Sequence, residues 1–142
     1  MVWINSKNFW LLHALLLASA VSLGCSSKPA GPPTVDVKGK LVITKGANIA
    51  SLYNRDGAIE FESVDLPGTK AYGQLKEDGS FTLTTQKDGI YKEGLVEGTH
   101  RVRLLLDEQA SQFVHPQFLE FSTSPLTAKV PDEREIVLQV WR

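Results

Sequence analysis

Few residues in this 142-residue chain have side chains that ordinarily carry out chemistry: one cysteine and three histidines, set among 16 acids and 15 bases. Cys25 stands where an apolar run gives way to CSSKPAGPP, and with no second thiol it can form no disulfide within the chain. A zinc peptidase would place a glutamate three residues after its first histidine ligand, but Arg103 follows His100 at that distance and Phe118 follows His115. Two lone histidines also fall short of the three protein ligands of a catalytic zinc site. His100, alternating with Arg101 at the start of a strand, reads as a surface residue, and His115 before Pro116 as a loop residue.

Calcium and nucleophilic chemistry fare no better. Aligning Gly57 of Asn54-Arg55-Asp56-Gly57 with the glycine of an EF-hand loop puts Leu52 and Ser63 at the ligand positions, so turn chemistry explains the segment. Ser124 precedes Pro125 and lacks a G-x-S-x-G elbow. Glu60 and Glu62 share one strand face, which reads as solvated. The sequence therefore assigns no catalytic, cofactor-binding or metal-ligating residue, and a protein that is not an enzyme is expected.

What positions Cys25 is more informative. Lys7 and the α-amino group precede an apolar run from Phe9 to about Leu23, the pattern of a signal peptide. The run is shorter than the roughly 20 apolar residues that span a hydrocarbon core. Val21-Ser22-Leu23-Gly24-Cys25 resembles the bacterial lipoprotein lipobox, with Ser22 where Leu, Val or Ile usually stands. That resemblance implies cleavage before Cys25, a thioether-linked diacylglycerol on its sulfur and often a further acyl chain, such as palmitate, on its amine. Two or more acyl chains give stable anchoring without a membrane-crossing helix. Ser26 is not the aspartate that retains such proteins at the inner membrane, so the resemblance implies a cell-envelope location, with the outer membrane or periplasmic face favoured.

Removing residues 1–24 takes away Lys7 and no acid, which leaves 14 bases against 16 acids. These charges are interspersed, so there is no basic stripe and no nucleic-acid partner is expected. Residues 25–34, rich in Ser, Pro and Gly, read as a tether, and residues 35–142 as one domain of common size.

That domain reads as all-β. Alternation predicts strands over 35–44, where Gly39 marks a bulge or close backbone approach, and over 49–53 and 58–64. Residues 70–85 read as a hairpin about Asp78-Gly79, followed by strands over 99–106, 126–130 and 135–141. In the last, Ile136, Leu138 and Val140 alternate with Val137, Gln139 and Trp141, the mark of an interior strand. Seven or eight short strands at even spacing predict a β-sandwich or barrel.

The succession Val35-x-Val37-x-Gly39-x-Leu41, Gly73, Asp78-Gly79-Ser80-Phe81-Thr82-Leu83, Asp88-Gly89-Ile90 and Glu97-Gly98-Thr99-His100-Arg101-Val102 resembles the carboxypeptidase regulatory-like domain. This transthyretin-like sandwich is common in bacterial envelope lipoproteins, and Ser122-Thr123-Ser124-Pro125-Leu126 is similar to the close of its small members. The likeness implies the first of these architectures, a single transthyretin-like or immunoglobulin-like β-sandwich. It also implies a folding partner, spacer or binding module, since in the peptidases a separate domain does the catalysis. Some related sandwiches join their first and last strands by a Lys-to-Asn isopeptide bond. Lys38 and Lys40 could serve, but residues 126–142 contain no Asn.

Two functions follow as expectations. The first is a non-enzymatic lipoprotein, held to the membrane through Cys25, whose sandwich is a structural or protein-interaction module for an envelope protein partner. Its candidate surfaces are the strand edges, a loop over 86–97, and the stretch 109–121 with Phe113, Phe118 and Phe121. The second is a small-ligand or carbohydrate-binding envelope protein that stacks sugars on Tyr53, Tyr72, Tyr91 and Trp141.

Overall fold

The computed structural model describes residues 30–46, 48–132 and 134–142, so the apolar leader and Cys25 lie outside the described residues. Eleven strands are formed there: β1 (Thr34–Val35), β2 (Lys38–Lys45), β3 (Ala58–Ser63), β4 (Lys70–Gln74), β5 (Ser80–Thr82), β6 (Thr84–Lys87), β7 (Ile90–Glu93), β8 (Leu95–Val96), β9 (Gly98–Leu105), β10 (Thr127–Val130) and β11 (Glu135–Trp141). Two single-turn helices, α1 (Ala50–Tyr53) and α2 (Glu108–Ser111), and a 3₁₀ turn at Pro116–Leu119 fill the connections.

The strands make an all-β sandwich of open sheets. A six-stranded sheet in the order β10-β9-β3-β4-β6-β7 faces a three-stranded sheet in the order β11-β2-β5, and β1 pairs with β8 beside them. Alternating residues of the two large sheets meet in the middle. Ile59, Phe61, Ala71, Val102, Leu104 and Ala128 come from one, and Leu41, Phe81, Ile136, Leu138 and Val140 from the other; all are buried. Burial of each larger side chain contributes about 1.5–3 kcal/mol.

Three features depart from the sequence pattern. Residues 50–53 form a helical turn, not a strand, with the Asn48 carboxamide oxygen accepting from the Ser51 amide at 3.1 Å. Such a local bond offers the backbone an alternative to the ladder. Residues 70–85 are not a simple hairpin, because β5 pairs with β2 while β4 pairs with β6, so the chain changes sheets at Leu83. Gly39 is what admits β5: it stands in register with Phe81, and a Cβ there would lie 2.0 Å from that ring. The expected close approach is thus a glycine under an aromatic ring. Finally, β11 is an edge strand, paired in parallel with β2 alone. The strands outnumber the expected seven or eight because the 35–44 segment breaks at residues 36–37, the second arm of the expected hairpin divides at Leu83 into β5 and β6, and the 86–97 stretch folds into β7 and β8 instead of a loop.

The two ends of the six-stranded sheet differ. At one, Ala58 is in register with Gln74 and Leu105, and α1 and the last residues of β11 lie nearby, with the Arg142 amide donating to Lys45 O at 3.1 Å. At the other, Ser63 is in register with His100 and Lys70 with Gln86, and the 64–69 turn and the Asp88-Gly89 hairpin tip project beyond them. Asp88 and Gly89 take φ of 50° and 78°, the left-handed geometry that a two-residue hairpin requires. The chain enters at this second end: Gly31 packs on Ile90, Lys92 Nζ donates to Pro32 O at 3.4 Å, and Thr34 Oγ1 donates to Glu93 O at 2.6 Å.

Candidate functional site

The densest array of charged groups lies on the outer face of the six-stranded sheet. Register places Glu60 between Arg103 on β9 and Tyr72 on β4, and Glu62 between Arg101 and Lys70. The Glu60 carboxylate accepts from Lys70 Nζ at 2.9 Å and from Arg103 Nε at 2.5 Å, while Arg101 reaches Glu62 at 2.6 Å and Arg103 reaches Glu120 at 3.4 Å. The segment that follows the 3₁₀ turn crosses above and sets the Phe121 ring over these cations, with the Arg103 guanidinium 4.8 Å from its centroid and the Lys70 ammonium 5.6 Å. Cations over a ring face are attracted by its quadrupole.

Glu60 is therefore not the solvated residue that its alternation suggests; it is 2 % exposed. Burial alone would raise its pKa. Hydrogen bonds from Lys70, Arg103 and Tyr72, with the attraction of the Arg103 charge, more than reverse this and hold the carboxyl below its ordinary range. The bond to Glu60 likewise raises the Lys70 pKa, against the opposing effect of burial. Both carboxylate oxygens are engaged, so the cluster is arranged to pin the 3₁₀ segment to the sheet and not to take a proton from a bound molecule. The sequence did carry a signal for it: Glu60 and Glu62 on one strand and Arg101 and Arg103 on another share the same period, and only the register between them was missing.

His100 also departs from expectation. It is 1 % exposed, in contact with Phe61 on the inner face, and its Nε2 lies 2.9 Å from Val96 O while Nδ1 has no partner among the described residues. Burial lowers its pKa, only partly offset by the Val96 carbonyl and the charge of Asp65. His115 is a connecting residue as expected, its Nδ1 accepting from the Gln117 amide at 3.3 Å. Among the described residues no group of three or more acids, histidines or cysteines is placed to hold a metal, and no helix is long and apolar enough to cross a membrane.

The aromatic candidates separate. Phe118 is fully buried and meets Trp141 edge-on at 4.8 Å, Phe113 packs against the core, and Phe121 covers the cations, so the 109–121 stretch pads the sandwich. Tyr53 and Trp141, 39 % and 38 % exposed, belong to the end with α1, while Tyr91, 66 % exposed, belongs to the opposite hairpin. Tyr72 is directed to Glu60 between strands. They form no common stacking platform. Lys38 and Lys40 are exposed and register with Glu135 and Val137.

Among the described residues the outer edge of β11 is open. The Lys38 amide donates to Arg134 O at 2.9 Å, so in the parallel ladder the even-numbered residues of β11 bond β2. The odd-numbered ones turn their backbone groups outward. Trp141 O accepts from the His115 amide at 2.7 Å, which leaves Glu135, Val137 and Gln139 as the open run, with Val137 53 % exposed. A cleft of about 380 Å³ lies between Glu62, Val64, Pro67 and Arg101, and one of about 350 Å³ lies between Asn48, Asn54, Arg55 and Phe113. No protein-family model, curated protein or solved structure matches the chain.

Proposed function

We propose that this protein is a non-enzymatic lipoprotein of the bacterial cell envelope, anchored by acyl chains on Cys25, whose β-sandwich is a structural or protein-interaction module. The observation that carries this reading is Gly24-Cys25 at the junction of an apolar leader and a Pro/Gly/Ser-rich tether, followed directly by an independent hydrophobic core. The closed pairing of the Glu60 cluster supports a scaffold role for that face. The open run of β11 supports a partner that adds a strand, since an unpaired edge offers backbone bonds and Val137 a side-chain contact.

The test is intact mass and membrane partitioning of the full chain and of Cys25→Ala, expressed in a bacterium that processes lipoproteins. The wild type is expected to lose residues 1–24, gain acyl mass and partition with membranes, and the variant to keep residues 1–24 and gain no acyl mass. A wild type that carries no lipid and stays freely soluble would overturn the reading.

A further inference from the structure

The tether leaves the sandwich at one end, and the exposed apolar side chains at that end lie on one face. We infer that this end, with Tyr91 and Val64 as its contacts, rests on the surface of the bilayer to which Cys25 is attached; the inference depends on the anchor proposed above. Gly31 and Pro32 are already docked beside Ile90 and Lys92. From Cys25 to Ala30 the chain spans five residue steps, which reach at most about 18 Å when fully extended. The 64–69 turn and the 87–91 hairpin are therefore held close to the lipid, and the end with α1 and Trp141 stands further off.

Their side chains share a direction. Tyr91 is in register with Gln86, Gln86 with Lys70, and Lys70 with Glu62, so alternation puts Tyr91 on the outer face, where Val64, two residues beyond Glu62, also falls. Tyr91 and Val64 are 66 % and 52 % exposed, and Pro67 is exposed on the same turn. Tyrosine suits the headgroup region, where its ring is sheltered and its hydroxyl stays wet. On the hairpin Lys87 and Lys92 are matched by Asp88 and Glu93, so the contact is apolar in character and depends little on salt. Two such side chains would not retain a free domain on a bilayer. A short tether, giving an effective concentration of order millimolar, makes the same weak contact enough to set the orientation.

The test uses the lipidated full chain reconstituted in phosphatidylcholine vesicles whose acyl chains are brominated near the headgroup. After cleavage Trp141 is the remaining tryptophan, since Trp3 and Trp10 precede Cys25. In a Trp141→Phe background, tryptophan is placed by Tyr91→Trp or by Val64→Trp. Emission from either site is expected to fall about twofold on brominated vesicles, with Trp141 of the wild type unaffected. Because Trp141 packs on Phe118, native Tyr91 is also followed by hydroxyl-radical footprinting, and its oxidation in the vesicle-bound wild type should fall about threefold from its rate in detergent solution, with Tyr53 at the opposite end unchanged. Acyl mass on Cys25 with no preferential quenching and no protection at Tyr91 would overturn the docking and leave the anchor standing. Absence of acyl mass would remove the anchor, and the docking with it.

Discussion

Two ionisable side chains are buried to the same degree in this sandwich, and their surroundings treat them in opposite ways. Glu60, on the outer face of β3, keeps its charge because Lys70 and Arg103 bind both oxygens. His100, on the inner face of β9, is pushed toward neutrality with one nitrogen bonded and the other unpartnered among the described residues. Burial penalises the charged form in both, and the number and charge of partners decide whether that penalty is reversed. One site thus holds its charge under acid that would neutralise an ordinary carboxylate, and the other gives up its proton more readily than an ordinary imidazole.

The strongest way to break the contrast is Glu60→Ala. It leaves Arg103 and Lys70, 23 % and 36 % exposed, without their shared acid, and losing hydrogen bonds to a charged group costs roughly 1.5–3 kcal/mol. Urea unfolding of the described domain should show that loss, and a change below about 1 kcal/mol would mean the cluster is not holding the 3₁₀ segment. Phe121→Ala comes next, at about 1–2 kcal/mol, from lost ring contact with three cations that keep their acid partners.

The pH dependence sharpens the same contrast. The His100 pKa is lower folded than unfolded, so the unfolded chain takes up its proton first and stability falls as pH drops below about 6.5, by at most about 1.4 kcal/mol per pH unit. For Glu60 the folded value is the depressed one. Its contribution is complete above the unfolded value of about 4.3 and is lost as pH falls through the folded value. Stability measured from pH 7.5 down to 3 should therefore decline in two stages, and His100→Gln should flatten the first alone. A single decline below pH 4.5 in the wild type would show that His100 is charged in the fold. The smallest expected effect is Arg101→Ala, within about 1 kcal/mol, since its pair with Glu62 is solvent-exposed.

Much of the fold was legible because alternation is a local signal. Ile59 and Phe61, Val102 and Leu104, and Ile136, Leu138 and Val140 fall on the buried side where their spacing puts them. What local alternation does not encode is partnership across the sandwich. The 70–85 segment has hairpin punctuation at Asp78-Gly79, yet Phe81 finds Gly39 on a distant strand, and this draws β5 into the other sheet. The same blindness hid the charged cluster: Glu60 and Arg103 lie far apart in sequence, and only pairing of β3 with β9 and cover from Phe121 turns a polar face into a buried one. For β11, apolar residues on both faces suggested an interior strand, but only one side of it is paired.

The parallel pairing of β2 with β11 has a consequence for how the protein is made. The partner of an early strand is the last strand of the chain, so β2 has β5 on one side and nothing on the other until Glu135 to Trp141 have been synthesised. Loop closure over nearly the whole domain is the slow kind of contact to form, and strand edges left open meanwhile are where chains aggregate. Lys38, Lys40 and Lys45 along β2 put like charges on that waiting edge, so that two nascent copies repel before either finds its own last strand.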